Sequence, residues 1–369
     1  MATDQAVTSE PMALEVTEQF IVDCTTIAKN FYTTCGSYTT AVSNITATTG
    51  VNVSCSAGFN STTCPGTMYG STCVFAHKLC VTCSGSSTVR IRVQSNGLPL
   101  FCPFTPSILN EQDIDFEVNF NPTVSANSLN QDATTTAALS QLLCNIQTEA
   151  NAPTSANLVS YGTQLTTVAG VSVDGVALMN VNSANDVDPF YPTGGNPTES
   201  VDACFGHPND HYVYHYHIAS GCALNPPSGT IASCTGTPSC SSSVATYSIS
   251  LYNSYRTLTV IGIAKDGHVV YGPYDSTGTQ VTSGFDICNG MFYNSNGDYA
   301  YFATQTFPYM TGCFGPGNYP NVSVNCSSNA PSSYTKSKYA GHAVSTFSSE
   351  TLVLVYTITF LMTMVTLKQ

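Results

Sequence analysis

The segment Cys204–Cys222, CFGHPNDHYVYHYHIASGC, holds four of the seven histidines of this 369-residue chain between two cysteines. At its centre, Tyr214-His215-Tyr216-His217 alternates in a way that fits a β-strand, in which successive side chains point to opposite faces. A strand would direct both imidazoles to one face and both phenols to the other. We expect this strand to lie in a mainly β domain and to form part of a polar site.

The motifs around this strand recur later in the chain in the same order. The matching pairs are VAGVSVDGVALMN from Val168 with VIGIAKDGHVVYGP from Val260, DACFGH from Asp202 with DICNGM from Asp286, and YHYH from Tyr214 with YAYF from Tyr299. Kept order and spacing indicate an internal repeat. We predict two related β lobes, at about residues 168–222 and 260–313, which form a sandwich-like domain.

Cysteines close both copies of the repeat. Cys204 and Cys222 bracket the first motif, and Cys288 and Cys313 bracket the second. We predict a disulfide around each motif, although spacing alone does not fix connectivity. Alternating stretches such as DIDFEVNF, and X-Gly pairs such as Asp266-Gly267, add further strands and tight turns to this β interpretation.

The histidines suit a transition metal. His215 and His217, at positions i and i+2 of a strand, can converge on one point, and His207 or His211 in the preceding turn can supply a third ligand. Imidazole nitrogens favour zinc or copper over calcium or magnesium. We therefore predict a site for Zn or Cu. The candidates to support its ligands are Asp202, Asp210, Tyr214 and Tyr216.

Two other interpretations remain open for the same residues. The histidines and tyrosines could form a hydrogen-bonded structural cluster, or the histidines could act as acid and base groups without metal. The second lobe has Ala300 and Phe302 where the first has its paired histidines, yet it keeps the aspartate, Asp286, and the tyrosines. We therefore expect Asp202 to serve first in a local turn.

The combination GH…YHYH…C, IGIAKDGHVVYGP and DICNG followed by TFPYMTGCFG resembles the YHYH-domain family. The resemblance covers roughly residues 86–320, with SNGLP near Asn96 at its N-terminal edge. It implies a secreted or surface-attached domain and carries no activity over to this chain. Whether the protein is an enzyme stays open, with a metal-dependent hydrolase as one alternative and a structural or adhesive surface glycoprotein as another.

The N-terminal part of the chain is richer in cysteine than the rest. Residues 1–85 contain seven of the sixteen cysteines, which predicts a small disulfide-rich module ahead of a YHYH domain at 86–327. Cysteines and acceptor sequons together indicate the secretory pathway. The predicted glycosylation sites are Asn44, Asn52, Asn60, Asn321 and Asn325.

The charge of the chain excludes one class of partner. The formal net charge is −13, with only nine lysines and arginines. Nucleic-acid binding relies on clustered Lys and Arg, so we expect no nucleic-acid partner. The sequence does not identify a protein or glycan partner.

The C-terminal residues predict a membrane anchor. A Ser-rich stalk at 328–350 leads into the apolar run 351–367, TLVLVYTITFLMTMVTL, which is short for a spanning helix and has little basic flank. Small residues near Gly341, His342 and Ala343 fit a GPI attachment signal, with a transmembrane tail as the alternative. We predict attachment to the outer leaflet at the extracellular face of the cell membrane. No signal peptide is visible at the start, which we expect to be truncated.

Overall fold

The computed structural model describes residues 21, 23–104, 107–124, 132–145, 158–160, 168–179 and 181–340. The predicted C-terminal anchor at 351–367 and the small residues Gly341, His342 and Ala343 lie outside these residues. Within the described part of the chain, no helix combines the length and the apolar character needed to cross a bilayer.

Strands of the N-terminal region form a three-stranded antiparallel sheet. They are β1 (Val51–Cys55), β2 (Thr67–Tyr69) and β3 (Thr72–His77), with β3 in the centre. This sheet buries only a small apolar cluster, and four disulfides hold the region together: Cys24–Cys83, Cys35–Cys80, Cys55–Cys102 and Cys64–Cys73. Crosslinks of this density are typical of regions that cannot bury a large core.

A second antiparallel sheet contains β4 (Leu79–Ser84), β5 (Arg90–Ser95), β6 (Ile114–Asn119) and β7 (Leu158–Ser160) in that order. Alternate residues of β6 are buried, as its sequence predicts. The domain boundary predicted after residue 85 falls in the turn between β4 and β5. Both strands contribute to the main core. The division into an N-terminal module and a YHYH domain stays a prediction.

The largest sheet has eight strands, and it contains the YHYH segment. Its strand order is β10-β11-β9-β8-β12-β13-β15-β14. The strands are β8 (Val168–Ser172), β9 (Ala177–Met179), β10 (Gly206–Pro208), β11 (Tyr214–Tyr216), β12 (Val260–Ala264), β13 (Val269–Tyr271), β14 (Gly290–Phe292) and β15 (Tyr299–Phe302).

The two halves of this sheet have the same topology. In the first half β8 pairs antiparallel with β9, β9 parallel with β11, and β11 antiparallel with β10. In the second half β12, β13, β15 and β14 repeat these directions, and β8 and β12 meet antiparallel at the centre. The prediction of a mainly β fold is confirmed. A common origin of the two halves stays a prediction.

Tight turns join the first two strands of each half. Gly175, with φ of +79°, lies between β8 and β9, and Gly267, with φ of +89°, lies between β12 and β13. Glycine occupies such backbone conformations without the clash that a Cβ causes. These are the positions at which Asp-Gly pairs predict turns.

Helices are short and lie outside the sheets. Among them are the α-helices Thr136–Leu143, Pro238–Ser242 and Val244–Ser250 and the 3₁₀ helix Gly221–Ala223, and residues 23–28 are also helical. The helix Thr136–Leu143 begins where the hydroxyl of Thr135 accepts a hydrogen bond from the backbone N–H of Ala138, which is the usual N-cap arrangement.

All sixteen cysteines are paired, in eight disulfides. Cys204 pairs with Cys222 and Cys288 with Cys313, the two bridges predicted around the repeated motifs. Residues 328–340, predicted as the start of a stalk, lie against the domain. There the buried Tyr334 packs edge-on against Phe285, with ring centroids 6.4 Å apart.

Candidate metal centre

Each half of the large sheet has a turn built on one buried aspartate, which we call the aspartate corner. In the first half, Oδ1 of Asp202 accepts hydrogen bonds from the N–H groups of Cys204 and Gly206, at 2.8 and 3.1 Å. Its Oδ2 accepts a hydrogen bond from the hydroxyl of Tyr214 at 2.6 Å. The corner places Gly206 at the start of β10 and ties it to β11.

The second half has the same corner. Asp286 accepts hydrogen bonds from the N–H groups of Cys288 and Gly290 and from the hydroxyl of Tyr299. Its Oδ2 also accepts one from the N–H of Gly317. Burial raises the pKa of Asp202 and of Asp286 to about 7, although the donors around each carboxyl lower it. Matched bonds and matched pKa values make the corners equivalent.

Glycine is required in each corner because it leaves space for a tyrosine ring, and not because it supplies a positive φ. The residue with positive φ is the one before it, Phe205 at +68° and Asn289 at +67°. At Gly206 and Gly290, a Cβ would collide with the ring of Tyr214 or Tyr299. The X-Gly pair Asn289-Gly290 is therefore not a turn in which glycine supplies the positive φ. Here glycine provides space for a tyrosine.

This corner determines how the histidines meet. β10 and β11 pair antiparallel with His207 directly opposite His215, and directly opposed residues lie on the same face of a sheet. His217 follows two residues after His215 and returns to that face. The cross-strand partner explains why His207 joins the paired histidines.

The three imidazoles converge. Nε2 of His215 and Nε2 of His217 are 3.0 Å apart, and the ring centroid of His207 lies 4.3 Å from that of His215 and 5.4 Å from that of His217. One ligand nitrogen from each ring lies within 4.8 Å of the other two. These three histidines could hold a metal ion.

A backbone contact orients His215. Its Nδ1 lies 2.9 Å from the carbonyl oxygen of Val213. Because a carbonyl can only accept, Nδ1 carries the proton in the neutral ring, and Nε2 presents its lone pair towards the other rings. Burial lowers the pKa of His215 well below its usual value, and nearby His207 and His217 lower it further. The ring is thus held in the neutral form that binds metals.

Glu199 contacts the histidines and was not predicted from the sequence. Its Oε2 lies 3.0 Å from Nε2 of His207 and 3.2 Å from Nε2 of His217. Burial alone would raise the pKa of this carboxyl, but His217 and His207 reverse that effect, and the pKa lies below its usual range. No motif marks Glu199. Its only signal is an acidic residue three positions before the corner aspartate.

The tyrosines of the motif contact the opposite face of the sheet. Tyr214 donates to Asp202, and Tyr216 donates to Oδ2 of Asp174 at 2.9 Å. Asp202, Tyr214 and Tyr216 were predicted to support the ligands. The structure gives them a role in holding β11 to its neighbours.

Two other predicted residues lie outside the cluster. His211 and Asp210 are exposed at the tip of the β10–β11 hairpin. The backbone N–H of His211 donates to Oδ1 of Asn209, which shapes the tip, and His211 is not part of the cluster of three ligand nitrogens. Of the two candidates for a third ligand, the structure therefore brings only His207 to the site.

Comparison with protein families identifies the region that contains this site. The family described as YHYH protein matches residues 147–287, which lie within the stretch of resemblance seen in the sequence. This chain carries a YHYH domain. Comparison with curated proteins and with solved structures finds no significant match. The YHYH tetrapeptide of the domain consists of β11 and His217. The aspartate corner positions this segment, and His207 on the neighbouring strand completes the cluster of three histidines.

Proposed function

We propose that this protein binds one transition-metal ion, zinc or copper, in its YHYH domain, and that it displays this domain at the outer cell surface. The observation that carries the proposal is the convergence of ligand nitrogens from His207, His215 and His217 within 4.8 Å of one another. Three imidazoles suit zinc, copper or iron, whereas calcium and magnesium prefer oxygen ligands.

The environment of the rings supports this proposal. His215 and His217 are 2% and 4% exposed, and the side chain of His207 is 16% exposed. Nearly buried ligands with one partly open side allow an ion to enter and then shield it from water. The contact between His215 and Val213 orients one ligand, as supporting hydrogen bonds commonly do at metal sites.

A structural role without metal is the second candidate. One observation favours it: His215 and His217 are within hydrogen-bond distance of each other at 3.0 Å, and this bond needs no ion. In that case the histidines would stabilise the β10–β11 hairpin of a structural or adhesive surface glycoprotein.

Elemental analysis of the purified, tag-free full chain, expressed through a secretory pathway, separates the two candidates. Wild type is compared with His215→Ala/His217→Ala and with His211→Ala, which removes a histidine outside the cluster. After zinc loading and gel filtration, we expect about one ion per chain in wild type and in His211→Ala, and none in the double variant. Equal, substoichiometric metal in all three proteins would contradict the proposal.

The proposed surface location rests on features outside the metal centre. All sixteen cysteines are paired, and the five sequon asparagines, Asn44, Asn52, Asn60, Asn321 and Asn325, are all exposed. Both features suit the secretory pathway. The apolar run 351–367 would provide a GPI signal.

Enzymatic treatments test this location on intact cells. Phosphatidylinositol-specific phospholipase C should release the protein, and a peptide:N-glycosidase should lower its mass. If the protein stays on cells from which the phospholipase releases a known GPI-anchored protein, a transmembrane tail is favoured instead.

A further inference from the structure

Glu199 lies against the histidine cluster, with its Oε2 close to Nε2 of His207 and of His217. We infer that its Oε2 is a fourth protein ligand, so that the metal centre is a closed site with three nitrogens and one oxygen. This inference rests on the proposed function, since it requires that the three histidines bind an ion. A closed site of this kind would retain its ion tightly, because no coordination position is left for a reacting water.

The separations of the donor atoms carry the first step. A tetrahedral zinc ion with ligands at about 2.0–2.1 Å separates neighbouring ligand atoms by roughly 3.3 Å. Oε2 of Glu199 lies 3.0 Å from Nε2 of His207 and 3.2 Å from Nε2 of His217. Nε2 of His217 lies 3.0 Å from Nε2 of His215. These three of the six donor separations are close to the edges of a tetrahedron around one ion, and the three histidine ligand atoms lie within 4.8 Å of one another.

The orientation of the donors carries the second step. Oε2 of Glu199 is buried and accepts no hydrogen bond of good geometry from the described residues, despite its two close ring nitrogens. A direct ion pair would align an N–H with the oxygen. Imidazole rings that face a common metal position would not align an N–H with this oxygen. The two ring nitrogens can pair with Oε2 when they carry a proton. When they present lone pairs instead, the buried oxygen lacks a partner at a cost in free energy, and a cation at the centre would satisfy it.

The backbone of Glu199 is held in place. Its N–H donates to the carbonyl oxygen of Pro189 at 2.8 Å. The neighbouring Asp188 accepts hydrogen bonds from Phe190 and Tyr191 and from the hydroxyls of Tyr309 and Ser327. Glu199 therefore projects from a segment that is anchored to the core, as a ligand needs.

The second half of the sheet lacks all four donors together. Strand register places Met291 at the position of His207 and Ala300 at that of His215. Phe302 follows at the position of His217, and Ser283 precedes its aspartate as Glu199 precedes Asp202. The second half keeps the aspartate corner but has none of the four donor side chains. Their joint absence indicates that the four donors act together.

Metal binding by glutamate variants tests the inference. Zinc affinity and the visible absorption of the cobalt(II) form are measured for wild type, Glu199→Ala and Glu199→Gln. Asp210→Asn is the matched control, because it removes an exposed carboxylate on the same hairpin. Far-UV circular dichroism in chelator verifies that each variant is folded.

We expect Glu199→Ala and Glu199→Gln to weaken zinc binding at least about 10-fold, since loss of even a supporting residue around a metal costs 10- to 100-fold. The cobalt spectrum should change in both Glu199 variants because water replaces the carboxylate oxygen in Glu199→Ala and an amide or water replaces it in Glu199→Gln, and it should stay unchanged in Asp210→Asn. Unaltered affinity and spectrum in both Glu199 variants would overturn the fourth ligand and leave a three-histidine site intact. A wild type that binds no zinc would overturn both proposals.

Discussion

The two halves of the eight-stranded sheet share a scaffold and differ in their chemistry. Both have the same strand order, an aspartate corner and a disulfide that closes the motif. One places His207, His215 and His217 on the face where the other places Met291, Ala300 and Phe302. The corner and its tyrosine therefore do not depend on the histidines, and the histidines are an addition to a fold that is complete without them.

The second half shows how that face packs when its residues are apolar. Phe302 is buried and packs against the rings of Tyr271 and Tyr293, with centroids 5.6 and 6.1 Å away. Burial of such rings stabilises the fold. The histidine half gives up that apolar packing, and a bound ion would replace it.

The largest expected effect comes from removing either corner. Asp202→Ala and Asp286→Ala each leave several buried donors without an acceptor, which should lower the free energy of unfolding by roughly 4 kcal/mol. Denaturant unfolding in the presence of chelator measures both, with exposed Asp210→Ala as control. A large loss in one half and none in the other would show that the corners are not equivalent.

The second largest effect is expected from removal of the metal ion by a chelator, which should act through the half of the sheet that contains the histidines. An ion at 100 times its dissociation constant stabilises the fold by about 2.7 kcal/mol, so removing it should lower the melting temperature by several degrees. The variant His215→Ala/His217→Phe, which copies the second half, should fold and show no response to chelator. If the variant responds as wild type does, the stabilising ion is bound elsewhere.

The tyrosine hydrogen bonds should have equal effects in the two halves. Tyr214→Phe and Tyr299→Phe each remove one hydroxyl from a corner carboxylate, at a cost of about 2 kcal/mol. Thermal and denaturant unfolding of the two variants, with metal removed, provides the comparison. A difference of more than about 1 kcal/mol would show that the tyrosine hydrogen bonds of the two corners are not equivalent.

The smallest effect is expected at the hairpin tip. His211→Ala should change the free energy of unfolding by less than about 0.5 kcal/mol, because the side chain is exposed, and it should leave zinc binding unchanged. Isothermal titration with zinc and a thermal melt measure both quantities. Weaker zinc binding by this variant would restore His211 as a ligand.

Much of the fold could be predicted because the chain uses strong local signals. Alternation in DIDFEVNF, and the Asp-Gly pairs before β9 and β13, predict strands and turns from backbone geometry. The repeat of motifs predicts two related β lobes, but it does not predict that their strands join in one eight-stranded sheet. The sequence does not reveal that β4 and β5 form a hairpin across the expected module boundary, because the cysteine density of the first 85 residues suggests a break there.

The site could be predicted only in part. His215 and His217 follow from strand alternation, since both residues belong to one strand. His207 over His211 depends on the register between β10 and β11, which the spacing leaves ambiguous. Glu199 comes from a loop that returns to the site through tertiary contacts, and no periodicity indicates such a position.

The outer strands of the large sheet, β10 and β14, are only three residues long. A disulfide-bonded cysteine lies two residues before each of them, Cys204 before β10 and Cys288 before β14. Long unpaired edges invite strand addition by a neighbouring molecule, and these borders offer little backbone for it. Molecules crowded side by side should therefore resist fusing into fibrils through this sheet.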